Sequence, residues 1–151
     1  MCIRDRILVR GPTVSPGYLR QPPHGEWLRT GDLGYLDDEG YLFVLDRRDD
    51  LIVSGGENVY PAEVEAALLA HPAVEEVGVY GMPDPHWGQT VCAAVKPRGA
   101  VTAEELLAFC RQRIAGYKVP RSVQFVAVLP RTASGKLLRR ELRAATSGRG
   151  G

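Results

Sequence analysis

The run Leu51-Ile52-Val53-Ser54-Gly55-Gly56-Glu57-Asn58-Val59-Tyr60-Pro61 decides the fold class of this chain. Apolar β-formers lead into a Ser-Gly-Gly turn, and a proline follows where the first turn of a helix would begin. A short strand over 51–53 is therefore expected to feed a turn over 54–58. A helix should follow, with Val64, Ala67 and Leu68 on its apolar stripe and His71-Pro72 as its stop. The alternation continues downstream. Residues 74–80 and 90–95 read as strands separated by a loop over 83–88. Thr102 and Glu105 have the spacing of a capping box ahead of a helix that aligns Leu106, Leu107, Cys110 and Ile114, with Gly116 as its terminator. A strand over 123–128, a loop over 130–135 and a helix over 137–145 complete the pattern. The expected class is α+β, a small domain with a central few-stranded sheet and three helices.

Upstream the character differs. Residues 7–10 read as a strand closed by Gly11-Pro12, and 13–26 as a Pro- and Gly-rich loop. Three short strands are expected over 27–33, 34–37 and 41–45, with Asp37-Asp38-Glu39-Gly40 as the turn between the last two. This first third is all-β, too small to bury a core of its own, and reads as the end of a larger domain. The expected organisation is thus 1–48 as a remnant of that domain, 49–145 as a small domain, and 146–151 as a flexible tail.

Composition narrows the possible functions. Charged residues make up 25% and hydrophobic ones 44% of 151 residues, as in an ordinary soluble globular protein. A net charge of +1 gives no global attraction to nucleic acid or to an acidic membrane. No apolar run approaches the ~20 residues of a membrane helix. Cys2, Cys92 and Cys110 are odd in number and widely spaced, and His24, His71 and His86 lack ligand spacing. Neither a disulfide framework nor a metal site is indicated, so a reduced, cytoplasmic setting is expected.

Three runs carry chemistry. Pro130-Arg131-Thr132-Ala133-Ser134-Gly135-Lys136-Leu137 places Lys136 after a glycine on a loop, where a compact ammonium can be aimed at oxygens that accumulate negative charge. In Leu28-Arg29-Thr30-Gly31-Asp32, the Asp32 carboxylate suits a ribose diol, although a plain strand-end turn has the same composition. The third, Asp46-Arg47-Arg48-Asp49-Asp50 followed by the Gly55-Gly56 turn, reads alone as solvated charge and a tight turn. Arg131, Lys136, Arg139, Arg140 and Arg143 form a basic cluster without interleaved aromatics, which favours a solvated helix face over nucleic acid binding.

Taken together, in this order and spacing, these runs resemble the adenylate-forming (AMP-binding) superfamily, and specifically the C-terminal domain of its acyl-CoA synthetases. The resemblance covers nearly all of 7–143. It implies a two-step reaction in which a carboxylic acid attacks the α-phosphate of Mg-ATP, and CoA thiol then displaces AMP. It implies Lys136 as the catalytic residue of the first step, Thr30, Asp32 and Arg47 as nucleotide-binding, and Asp49 as the hinge of a moving domain. Gly55, Gly56, Glu57, Asn58, Trp87 and Tyr117 would form the CoA face, although Val119 stands where some relatives carry a basic residue. The wording Ser-Gly-Gly-Glu-Asn-Val-Tyr-Pro looks like aryl, medium- and long-chain acid:CoA ligases, which also suggests fatty-acid metabolism. In this family the phosphate loop, the Mg2+ ligands and the acyl pocket lie in a large amino-terminal domain. The chain is accordingly expected to be the carboxy-terminal part of a ligase, inactive alone, with ATP, AMP, CoA and an acid as its small-molecule partners. The alternatives are a stand-alone nucleotide- or CoA-binding module, or an interaction domain that completes a separate large subunit.

Overall fold

Gly55 and Gly56 both have positive φ, +60° and +84°, as a two-residue hairpin turn of the primed kind requires. The turn is therefore shorter than the 54–58 expected. In the computed structural model, which describes residues 5–17, 20, 23, 25–47 and 50–147, it joins β4 (Ile52–Ser54) to β5 (Glu57–Val59). Three-residue β5 carries too little periodicity to be read from sequence. Pro61 then opens α1 (Pro61–Leu69) at its first turn.

The chain divides into two compact units, Met1–Asp49 and Asp50–Gly151. In the second, β6 (Val74–Asp84) and β7 (Gly88–Pro97) form a long antiparallel hairpin. Both outrun their expected limits because the anticipated loop is itself paired, Pro83 to Gln89 and Asp84 to Gly88. A proline is tolerated there because β6 is the outer strand in the order β5-β4-β7-β6. β8 (Ser122–Phe125) joins β7 in parallel and stops short of the expected Val128, which is 77% exposed. α2 (Ala103–Arg111) begins with the anticipated capping box between Thr102 and Glu105. It ends before Gly116, which instead opens a single 3-10 turn, Gly116–Lys118. α3 (Arg139–Ser147) starts later than expected and runs past residue 145. Thr146 is helical, with its Oγ1 2.6 Å from the Tyr80 hydroxyl, so it is no tail; residues 148–151 lie outside the described residues.

Side-chain alternation along the central β7 builds a core on both sheet faces. Val91, Ala93 and Val95 face α1 and α2, where Val64, Leu68, Leu106 and Cys110 are buried. Cys92 and Ala94 lie in a second cluster with Tyr80, Leu129 and Leu142 of α3. Close approach on that side depends on Gly78, where a Cβ would lie 2.8 Å from Leu137 and 2.9 Å from Leu142. Burial pushes the Cys92 and Cys110 thiols above their ordinary range, so both serve as small hydrophobes.

The first unit is a three-stranded antiparallel sheet, β1 (Asp5–Val9), β2 (Leu28–Leu36) and β3 (Leu42–Arg47), in that order. The two strands expected over 27–37 are one, β2, with a register irregularity between Leu33 and Gly34. The expected turn forms, and the Asp37 carboxylate accepts from the backbone N–H groups of Glu39 and Tyr41.

Candidate functional site

A cleft of about 600 Å³ opens in the second unit beside the β4–β5 and β6–β7 turns. Its wall is shared by Gly55 and Glu57, by Trp87, by Leu107 and Arg111 of α2, and by Tyr117 and Arg121 around the 3-10 turn. Trp87 is set by its own turn. The Asp84 carboxylate accepts from the backbone N–H groups of His86 and Trp87, both at 2.9 Å. These two donors, Trp87 first, hold the Asp84 carboxyl below its ordinary range. The Gly55 N–H donates to the Trp87 carbonyl at 2.9 Å, joining the two turns. A Cβ on Gly55 would fall 2.7 Å from the indole, so the ring lies directly against this backbone. The Arg121 guanidinium sits 4.8 Å from the indole centroid, and Lys118, paired with Glu63 at 2.6 Å, sits 5.6 Å from the Tyr117 ring. The cleft therefore offers two half-exposed aromatic faces and two guanidinium groups, a surface suited to a ligand that combines a planar ring with anionic groups.

Of the six residues expected on one face, Gly55, Glu57, Trp87 and Tyr117 line this cleft, while Gly56 and Asn58 do not. The close approach expected of the glycine pair belongs to Gly55; a Cβ on Gly56 would meet open space. Arg111 and Arg121 were not anticipated. Arg111 follows Leu107 by one helical turn, a signal the sequence contained, whereas Arg121 reaches the cleft only through the path of the chain after the 3-10 turn.

Lys136 stands elsewhere. Its loop is closed by a bridge between Arg131 and Leu137, and Leu137 packs on the α3 side of the sheet. Lys136 is on a loop as expected, and the backbone of that loop is bonded at several points. The Lys136 N–H donates to Thr132 Oγ1 at 3.0 Å, and the Thr132 N–H donates to the Lys136 carbonyl at 2.8 Å. The Lys136 side chain is exposed. The basic cluster around it is only partly a solvated face, since Arg131 and Arg140 are exposed and Arg139 is not. Arg139 is largely buried, donating to the Val79 carbonyl, to Asp50 at 3.2 Å and to Glu65 at 2.8 Å. Arg131 is paired with Glu76.

In the first unit, the Thr30 hydroxyl donates to the Ile7 carbonyl at 3.1 Å and accepts from the Asp32 N–H at 3.0 Å. Thr30 thus shapes the bend that presents Asp32, which stands opposite Arg47 in the β2–β3 register. Asp49, expected as a hinge, lies outside the described residues, as do Cys2 and His24. Among the described residues, no group of three or more His, Cys, Asp or Glu is gathered to hold a metal. No helix there is long and apolar enough to cross a membrane.

Comparison with known proteins gives this geometry a context. Residues 63–136 match the AMP-binding enzyme C-terminal domain. A 2-succinylbenzoate–CoA ligase from Bacillus cereus is 56% identical over 147 residues, covering 93% of this chain and 30% of the ligase. The o-succinylbenzoate CoA synthetase from Bacillus subtilis, solved with the acyl-adenylate intermediate OSB-AMP, superposes with a TM-score of 0.88 at 49% identity. The same synthetase with ATP and magnesium ion gives 0.85 at 49% identity. Both alignments cover 93% of this chain and 30% of the synthetase. The chain thus spans about 30% of the length of the relatives it matches. Those curated relatives are named for an aryl acid, so the expectation of fatty-acid metabolism is not supported.

Proposed function

We propose, from the match of residues 63–136 to the AMP-binding enzyme C-terminal domain, that the chain is the carboxy-terminal part of an ATP-dependent carboxylic acid:CoA ligase of the adenylate-forming superfamily. In the first half-reaction a carboxylate oxygen attacks the α-phosphate of ATP, and the bond to pyrophosphate breaks. Lys136 balances charge on the carboxylate and α-phosphate oxygens. Asp32 accepts from the ribose hydroxyls, and Arg47 binds the nucleotide. In the second, the CoA thiol loses its proton and attacks the acyl carbon, and the bond to AMP breaks. The cleft of Gly55, Glu57, Trp87 and Tyr117 receives CoA. The Mg2+ that accompanies ATP would be held by the large amino-terminal part of such a ligase; the described residues gather no ligand set for it. The reaction needs the remaining part of such a ligase, since the chain spans about 30% of its relatives, and 2-succinylbenzoate is the first acid to test. A cytoplasmic setting, where ATP and CoA are both available, belongs to the same proposal.

One observation carries this reading. Arg131 ties the carbonyl of Gly135, next to Lys136, to Glu76 near the start of β6, whereas Trp87 follows Asp84 at the end of β6. Eight residues at ~3.3 Å rise put roughly 26 Å between those two ends of the strand. Lys136 and the cleft therefore do not address one reaction centre together. A domain that turns between the half-reactions, pivoting at Asp49, presents each in its turn.

The test is a chimera of this chain with the remaining part of the Bacillus cereus ligase. Lys136→Ala should slow acid-dependent pyrophosphate release ~10²–10³-fold, the usual cost of losing one aimed charge in a transition state. Thioester formation from a pre-formed acyl-adenylate should hardly change. Trp87→Ala or Gly55→Ala should reverse that bias. Equal slowing of both half-reactions by each variant would exclude a turning, two-sided domain.

A further inference from the structure

Arg131 touches neither the cleft nor any group assigned to substrate, yet it makes more bonds to the Lys136 loop and the sheet than a solvated side chain would. Its Nε and Nη2 donate to Glu76 Oε2 at 3.2 and 2.8 Å, and its Nη1 donates to the Gly135 carbonyl at 2.9 Å. That carbonyl belongs to the same planar peptide unit as the Lys136 N–H, which donates to Thr132 Oγ1. The unit is therefore held at both ends, by a guanidinium on its oxygen and a hydroxyl on its N–H. On the far side of Lys136, its carbonyl accepts from Thr132, and Leu137 is anchored against Gly78 and the second core. With both neighbouring peptide planes held, the direction of the Lys136 Cα–Cβ bond is set, and only its side-chain torsions remain free. Together with Leu137, Arg131 joins this loop to the sheet, because its other two bonds reach Glu76 of β6. Glu76 is in turn contacted by Lys96 of β7 at 3.3 Å, so the carboxylate is held from two elements.

We propose that the Glu76–Arg131 pair is a positioning device for the adenylation lysine, fixing the peptide plane before Lys136 so that its ammonium meets the reacting oxygens in a set geometry. This rests on the reading of Lys136 given above. Arg131 and Glu76 are positioning residues, since neither is placed on substrate. A planar fork holds a carboxylate and a carbonyl in one fixed geometry, whereas a lysine ammonium, a point charge on a flexible stem, leaves their relative orientation free. The Arg131 hydrogen bond also holds the Glu76 carboxyl below its ordinary range, with the Lys96 ammonium adding to the effect.

The experiment uses the same chimera and measures both half-reactions for Arg131→Met, Arg131→Lys, Glu76→Gln and Lys136→Ala. Both Arg131 variants should lower the maximal rate of acid-dependent pyrophosphate release roughly 10- to 100-fold, the scale of a misplacement of about an ångström. The KM for ATP and the rate of thioester formation from acyl-adenylate should stay within about twofold. Glu76→Gln keeps an acceptor for Arg131 and should show a smaller loss of the same kind. A merely structural pair would lower the thermal midpoint and slow both half-reactions together, and that result overturns the proposal. If Lys136→Ala is selective for adenylation while the Arg131 variants are not, the positioning role alone fails. If Lys136→Ala is itself unselective, the reading of Lys136 fails and the positioning role falls with it.

Discussion

The two units of this chain are built from similar shares of apolar residues but use them differently. From Ile52 onward, side chains close on both faces of a sheet, and Ile52, Val59, Val64, Leu68 and Leu106 are fully or almost fully buried. In the three-stranded first unit, no described hydrophobic residue is buried, and Leu36, Leu42 and Val44 are 62%, 51% and 61% exposed. A single sheet without a covering layer cannot remove its apolar side chains from water, however good its strand pairing. Thr30, Asp32 and Arg47, proposed above to bind the nucleotide, stand on the unit in which no described hydrophobic residue is buried. The cleft and Lys136 stand on the unit with one.

The largest effect expected from that contrast concerns whole units. Limited proteolysis should cut within 5–47 first and leave a protected product beginning near residue 50, because backbone that opens at little cost is cleaved first. Equal survival of β1–β3 and the later sheet would break the comparison. Point variants sharpen it. Leu68→Ala removes a fully buried side chain of α1 and should cost ~2–5 kcal/mol of unfolding free energy in denaturant. Leu42→Ala, on the exposed first sheet, should stay within ~0.5 kcal/mol. Similar losses for the two would mean that Leu42 is covered in the folded protein. Thr102→Ala removes the cap of α2 and should cost ~1 kcal/mol, while Thr102→Ser should restore most of it.

The smallest expected effect is a pH dependence confined to the second unit. Asp84 and Glu76 are both held below the ordinary carboxylate range in the folded protein. Each therefore contributes stability that is fully present above that range and is lost as pH falls through it. Thermal midpoints followed from about pH 6 to about pH 3 should fall less steeply for Asp84→Asn than for the parent chain. Parallel curves would show that the Asp84 bonds to His86 and Trp87 do not survive in solution.

Much of the fold was legible because its signals are local. Pro61 at a helix start, the Thr102–Glu105 box and the Asp37–Gly40 turn each fix geometry within a few residues, and all three form as expected. Errors fell where tertiary pairing overrides local preference. Half of the loop expected over 83–88 is strand, because Pro83 and Asp84 pair with β7, and β5 exists only as the return of a two-residue turn. Four of the cleft residues were found through motif wording, while Arg111 and Arg121 were not, since being cationic says nothing about facing a cleft.

By itself the sequence determined the α+β class, the change of character near residue 50 and the three runs on which the proposed chemistry rests. Each of these depends on residue type, periodicity and spacing along the chain. Only the tertiary structure decided what those runs do to one another inside the second unit. Folding gathers Gly55, Trp87 and Tyr117 around one cleft because three separate turns end at the same edge of the sheet. It sets Lys136 near the opposite end of β6, because Leu137 must bury against Gly78 and Arg131 must reach Glu76. It also turns Arg139 from a surface charge into a part-buried tie to Asp50 and Glu65. Packing and ion pairing between residues far apart in sequence fix these distances, and no local pattern records them.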